Sequence, residues 1–165
     1  MKNVSNRFNL KCLAAIVTIL LGIHYNGYAQ DTLVPPFTQE SAIAKLKINE
    51  AAWNTRNPEK IAALYGEHAE WRDRTSVIKG RAAIIAYLKQ KFQAEKEFAT
   101  QKEVWGAKLA KNAIRFEDEW KDSRTGEWYH SYGVEVVMFD EKGFIIERFA
   151  SINDKPIKES ERSIR

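Results

Sequence analysis

Four extended runs close this sequence, and they limit what it can fold into more than anything else in it. They cover about 100–110, 113–122, 127–139 and 144–152, and β-branched and aromatic residues fill them. The joints are Lys111-Asn112, Ser123-Arg124-Thr125-Gly126 and Asp140-Glu141-Lys142-Gly143, each a turn signal. Short joints connect antiparallel neighbours, so the runs predict a meander. Ahead of Ala99 the apolar period is helical. A first helix is predicted from Thr38, with Ser41 as the alternative cap, to about Arg56. Ile43, Leu46, Glu50 and Trp53 form its stripe. Asn57-Pro58 ends it and opens a short second helix, Glu59 to Tyr65. Ala69 to Arg74 reads as a strand, and Gly80 precedes a third helix with Ile84, Ile85, Leu88 and Phe92 on one face. Helices first and a meander last is the α+β pattern.

The first residues stand apart from that fold. Lys2, Arg7 and Lys11 form a basic start, Cys12 to Ile23 is an apolar run, and Gly27-Tyr28-Ala29 puts small residues where a signal peptidase reads. Residues 1–29 are therefore expected to be a signal peptide and 30–37 an exposed leader ended by Pro35-Pro36. The folded domain is expected over 38–157 and a charged, frayed tail over 158–165. The run is short for a membrane span, so the mature chain is expected to be exported, periplasmic or secreted, with no membrane contact after cleavage. Removing 1–29 removes three of the 26 basic residues and none of the 22 acids. The mature domain is then nearly neutral, which argues against a nucleic-acid partner. It also loses Cys12, the single cysteine, so disulfides play no part.

Alternation sorts the side chains of the third run. Tyr129, Ser131, Gly133, Glu135, Val137 and Phe139 share one face; Trp128, His130, Tyr132, Val134, Val136 and Met138 share the other. Both are rather apolar. One is expected to cover the helices and the other to meet a second subunit, giving a homodimer. In the fourth run Arg148 alternates with Phe144, Ile146, Ala150 and Ile152, which points it inward.

The segment L-Y-x-x-x-A-x-W-x-D (64–73), set between helices and followed by the meander, resembles the nuclear transport factor 2-like (SnoaL-like) superfamily. More narrowly, A-W-N-T-R-N-P (52–58), W-R-D-R (71–74), G-E-W-Y-H-S-Y-G (126–133) and S-I-N-D-K-P-I (151–157) are similar to a bacterial family of unknown function within it. The resemblance implies a cone of three N-terminal helices packed on a curved antiparallel sheet, with a pocket between them. It also implies that Asp73 stands at the catalytic-base position of the ketosteroid isomerase branch and Glu135 at that branch's oxyanion-hole acid. The tyrosine of that branch would fall near Asn49.

Two readings of these residues follow. In one, Asp73 and Glu135 are catalytic carboxylates in an apolar pocket that raises both pKa values, and they serve isomerisation, dehydration, cyclisation or hydrolysis without a cofactor. In the other, Asp73, Glu135 and Glu50 are tied up by Arg148, and the domain only binds a small, mostly apolar molecule. Trp53, Tyr65, Trp71 and Trp120 are expected to line the same pocket with Glu50 and Arg148. His68 and His130 lie far apart without ligand-like neighbours, so no metal site is expected.

Overall fold

The computed structural model describes residues 33–164, so the expected signal peptide and the first leader residues lie outside the described residues. Helix α1 spans Gln39–Asn54 and α2 spans Pro58–Ala62. A hairpin of β1 (Tyr65–Asp73) and β2 (Ser76–Lys79) follows, then α3 (Arg81–Ala94). Four long strands complete the domain: β3 (Glu95–Lys108), β4 (Lys111–Asp122), β5 (Trp128–Phe139) and β6 (Ile145–Ile157). Together the six strands form one sheet in the order β2-β1-β6-β5-β4-β3. The meander β3–β6 is antiparallel as expected. However, β1 runs parallel to β6, so the sheet is mixed.

Thr38 caps α1 through a reciprocal pair with Ser41, and Asn57 caps α2 with Pro58 in its first turn. The buried stripe of α1 is Ala42, Leu46, Asn49 and Trp53, whereas Ile43 is exposed. The stripe thus runs one residue off the expected line and leaves Glu50 at its edge. Tyr65 does not end a helix. It opens β1, which is longer than expected and bulges between Tyr65 and Glu70. The leader's last residue is also not free: Phe37 is buried edge-on against Phe139, their ring centroids 4.9 Å apart.

Register puts a row of polar side chains on the inner face. Asp73 lies beside Ala150, which pairs with Glu135, which pairs with Ile114. The next row is Ile152, Gly133, Phe116 and Lys102, and the next Asp154, Ser131, Asp118 and Thr100. Gly133 is required there, since a Cβ would stand 2.1 Å from the Phe116 ring. A register shift at the start of β6 pairs Phe139 with Ile145 and Met138 with Glu147. Consequently Ile145 and Arg148 are both buried, and the expected single alternation from Phe144 to Ile152 is broken.

The C-terminal segment does not fray. After a 3₁₀ turn at Glu159–Glu161 it lies back on the sheet, where the buried Glu119 accepts hydrogen bonds from the backbone N–H groups of Ser163 (2.8 Å) and Ile164 (3.2 Å). The Arg162 guanidinium sits 3.8 Å from the centre of the Trp128 ring. That cover buries Trp128 and His130, so they drop out of the exposed outer face expected for β5.

Candidate functional site

Arg148 is the hub of the interior. Its Nε donates to Glu135 Oε2 at 2.6 Å and its Nη1 reaches Asp73 Oδ2 at 3.4 Å. The guanidinium carbon lies 5.5 Å from the Trp53 ring centre and 5.0 Å from that of Trp71, in cation–π range. Lys102 closes the other side, with Nζ 3.0 Å from Glu135 Oε1. The Tyr87 hydroxyl donates to Asp73 Oδ2 at 3.2 Å. Asp73, Glu135 and Arg148 are each about 97% buried. Charges taken so far from water persist only when paired and hydrogen-bonded.

The electrostatics overturn one expectation. Burial pushes the Glu135 carboxyl up, but the Lys102 and Arg148 cations outweigh it and hold it at about 2. Glu135 is therefore an ionised anchor, not the neutral carboxylic acid that an oxyanion hole requires. Arg148 is likewise held above its ordinary value: burial opposes its charge, and Glu135 and Asp73 more than compensate. The Tyr65 and Tyr87 phenols are both raised, chiefly by burial.

Five of the expected site residues thus converge: Asp73, Glu135, Arg148, Trp53 and Trp71. Tyr65 joins them at second hand, its ring 4.9 Å from Trp71. Glu50 does not. Its carboxylate accepts the Lys102 backbone N–H (2.6 Å) and meets Lys47 Nζ (3.0 Å), in an open groove with Gln101, Glu103 and Arg115. Trp120 is also apart, on the inner face nearer the strand end, where it stacks on Tyr129 and donates to Ser131 Oγ at 2.9 Å.

Two recesses flank Glu135. The apolar one lies between α1 and the near ends of β4, β5 and β6. Leu46, Ile114, Val137, Phe139 and Ile145 wall it, with Asn49 and Asn112 among them. It holds about 370 Å³ of atom-free space counting its mouth, of which a water centre can occupy about 20 Å³. The polar one holds about 240 Å³ on the same measure and about 10 Å³ for a water centre. Trp53, Phe116 and Ile152 line it together with Asp73, Lys91, Lys102, Asp118 and Arg148. Asp118 is 94% buried, and burial raises its carboxyl against the nearby Lys91, Thr100 and Lys102.

Asp118 and Lys102 carry no role in the sequence reading, and Asn49 and Asn112 enter it only as the position of a missing tyrosine and as a turn. A signal for Asp118 existed: Ile114, Phe116, Asp118 and Trp120 alternate, so an acid falls between two aromatics on one strand face. Lys102 gave none, since its role depends on a register with β4 that only the fold supplies. His130 is held between Glu119 and Glu117, at 3.1 and 2.8 Å. Among the described residues no group of three or more His, Cys, Asp or Glu is placed to hold a metal ion.

The chain belongs to the family described as "Protein of unknown function (DUF1348)", which matches residues 35–165. No curated protein matches the sequence. Among solved structures it is similar to SalBIII, an epoxide hydrolase/cyclase-like enzyme with a role in pyran ring formation in the polyether salinomycin. That likeness has a TM-score of 0.62 at 17% identity and covers 69% of this chain and 92% of the other. A hypothetical protein of ketosteroid isomerase-like fold from Catenulispora acidiphila, in complex with trimethylamine, aligns with a TM-score of 0.59 at 12% identity, over 65% and 83% of the two chains. An NTF2-like protein of unknown function from Exiguobacterium gives 0.59 at 14%, over 67% and 99%. At such identities these likenesses establish the nuclear transport factor 2-like fold and carry no activity with them.

Proposed function

We propose that this is an exported binding protein for a small, mostly apolar molecule with one polar group, held in the apolar recess beside Glu135. The observation that carries this reading is a pair of buried side-chain amides. The Oδ1 atoms of Asn49 and Asn112 both lie without a hydrogen-bond partner, and both residues line that otherwise apolar wall. An unpartnered buried polar atom costs about 1–3 kcal/mol. A guest hydroxyl or amine placed between the two amides would recover that cost while its hydrocarbon part meets Leu46, Val137 and Phe139. Rotating either amide exchanges acceptor for donor but leaves the same demand for a polar guest atom. The recess is narrow, so the guest is small.

Native mass spectrometry of the protein purified from its own host tests the reading. A retained small molecule is expected on the wild-type chain, and its occupancy should fall sharply in Asn112→Leu. A wild-type chain that carries only its own mass, and an Asn112→Leu chain that retains the same guest, would each count against it.

The outer face supports a second part of the proposal, a homodimer. Tyr132, Val134 and Val136 on β5 and Phe149 on β6 are exposed, with Trp105 on β3 nearby. Arg72, Arg115 and Glu103 lie on the same side, so the face carries both signs of charge and suits a second copy of itself.

A further inference from the structure

The two edges of the sheet differ. β2, at one edge, is four residues long and offers another strand little to pair with. β3, at the other, runs for fourteen residues. An edge of that length presents a row of main-chain donors and acceptors on which a further strand can build. Two side chains of α1 occupy the middle of this row. The Thr100 N–H donates to Asn54 Oδ1 at 2.8 Å, and the Thr100 carbonyl accepts from Asn54 Nδ2 at 3.0 Å. That exchange of two bonds is what the opposite residue of an antiparallel neighbour would supply. The Lys102 N–H donates to Glu50 Oε2 at 2.6 Å, while Lys47 Nζ holds Glu50 Oε1 at 3.0 Å. Thr100 and Lys102 alternate along β3, so both turn these groups away from β4. Glu50 and Asn54 stand four residues apart, on one face of α1. Beyond them a bulge between Val104 and Gly106 interrupts the ladder, and the Phe37 N–H takes the Leu109 carbonyl at 2.9 Å.

We infer that Glu50 and Asn54 guard the β3 edge, and that the strand-pairing surface they close fits the β3 edge of a second copy of this chain, antiparallel to the first. The register of that pairing follows from the groups already named. Residues that exchange two bonds across an antiparallel pair must both turn their N–H and carbonyl outward. Thr100 of each copy therefore stands opposite Lys102 of the other, and Gln101 opposite itself on the two-fold axis. In this register Ala99 meets Glu103 and Phe98 meets Val104, so no like charges face each other. The bulges at Lys96/Ala99 and Val104/Gly106 confine the pairing to this stretch. Glu50 thus gains a role outside the pocket: its carboxylate, at the rim of the open groove, takes the donor that a neighbouring copy would use. Without the guards, edge pairing would add a second self-complementary surface to the outer face, and chains joined through both would extend end to end instead of closing as a pair.

Amide hydrogen exchange and light scattering test this together. All comparisons carry Val136→Lys, which puts a cation on the exposed outer face and leaves the edge as the surface under test. With the guards present, the Thr100 and Lys102 amides should be protected and the chain should scatter as a single mass. Glu50→Ala with Asn54→Ala keeps a good helix former at both positions and clears the edge. In dilute solution the two amides should then exchange about 10- to 10²-fold faster. At tens of micromolar, roughly where a standard interface holds, the mass should at least double and the protection of both amides should return. Glu50→Gln keeps an acceptor oxygen and should behave like the guarded chain. Guarded Thr100 and Lys102 amides that exchange as fast as exposed loop amides overturn the inference, and that result needs neither guard variant. So does a folded double-alanine chain that keeps the single mass at that concentration, or one that associates while both amides stay open. If thermal melts show the double variant unfolded, Glu50→Ala alone is read in the same way at Lys102. Failure here leaves the guest of the apolar recess and the outer-face dimer untouched, since neither enters these measurements.

Discussion

The two faces of β5 have exchanged their usual roles. On the inner face Ser131, Gly133, Glu135 and Val137 are buried, and Glu135 is among the most deeply enclosed charges in the domain. On the outer face Val134 and Val136 stand 47% and 46% exposed. An ordinary half-buried strand places the apolar set inside and the charge outside. Here a charge is buried between apolar neighbours on the inner face, and hydrocarbon stands exposed on the outer one. Buried polar groups are costly unless paired, and exposed apolar groups in a row are uncommon on a lone chain.

The hardest way to break the inner face is to remove its hub. Arg148→Met leaves Glu135 with Lys102 alone and Asp73 with only the Tyr87 hydroxyl. Removing one partner of a buried ion pair costs about 3–5 kcal/mol, and a loss of that size is expected in denaturant unfolding of the variant. The sharper form replaces Arg148, Glu135 and Asp73 together by apolar residues of similar volume. Such replacements are often neutral or stabilising. If the triple variant is as unstable as Arg148→Met, packing against Trp53 and Trp71 and not charge is what Arg148 supplies.

Acid should weaken the same face more gently. The Glu135 carboxyl is depressed in the folded domain, so its contribution is complete above the ordinary carboxylate value. It is lost as pH falls from about 5 towards about 2. At about 1.4 kcal/mol per pKa unit this amounts to about 3 kcal/mol. Asp118 has the opposite sign. Its folded value is raised, so its contribution is present below the ordinary aspartate value and is lost as pH rises through the folded one. Urea titrations from pH 2 to 8 should show the acid limb flatten in Glu135→Gln. In Asp118→Asn the neutral-pH stability should rise relative to that at pH 4. An unchanged acid limb in Glu135→Gln would mean that other carboxylates govern acid unfolding.

Much of this was legible in the sequence, and the misses have physical causes. Turn signals locate two of the three meander joints, whereas the first turn falls at Leu109-Ala110 and the expected joint Lys111-Asn112 opens β4; period-two counting brings Trp71, Asp73, Glu135 and Arg148 to one face. A single alternation through Phe144 and Ile146 nevertheless fails before it reaches Arg148, because the register shifts where β6 begins and leaves Phe144 exposed in the preceding turn. The parallel β1–β6 pairing is long-range and leaves no local trace. Glu50 lies outside the expected pocket because a one-residue rotation of the α1 stripe separates a pocket from a rim. The charge of the tail predicts fraying, yet Glu119 on β4 gathers its backbone N–H groups, a contact between residues more than forty positions apart.

The outer face should respond in the reverse manner. Val136→Lys places a cation between Ala113 on β4 and Phe149 on β6, in the middle of the exposed apolar stripe. The lysine stem can lie along the sheet with its ammonium in water. Nothing buried is disturbed, so the fold should change by no more than about 0.5 kcal/mol. Association should not survive, because two copies meeting through this face would bring two desolvated ammonium groups together. Light scattering at tens of micromolar, roughly where a standard interface holds, should give twice the chain mass for the wild type and the single mass for Val136→Lys. A wild-type chain that is monomeric at that concentration removes the homodimer. A Val136→Lys dimer keeps a dimer but moves it off this face. The comparison between the faces then sharpens: an inner substitution costs stability in a single chain, and an outer one costs only the company of a second.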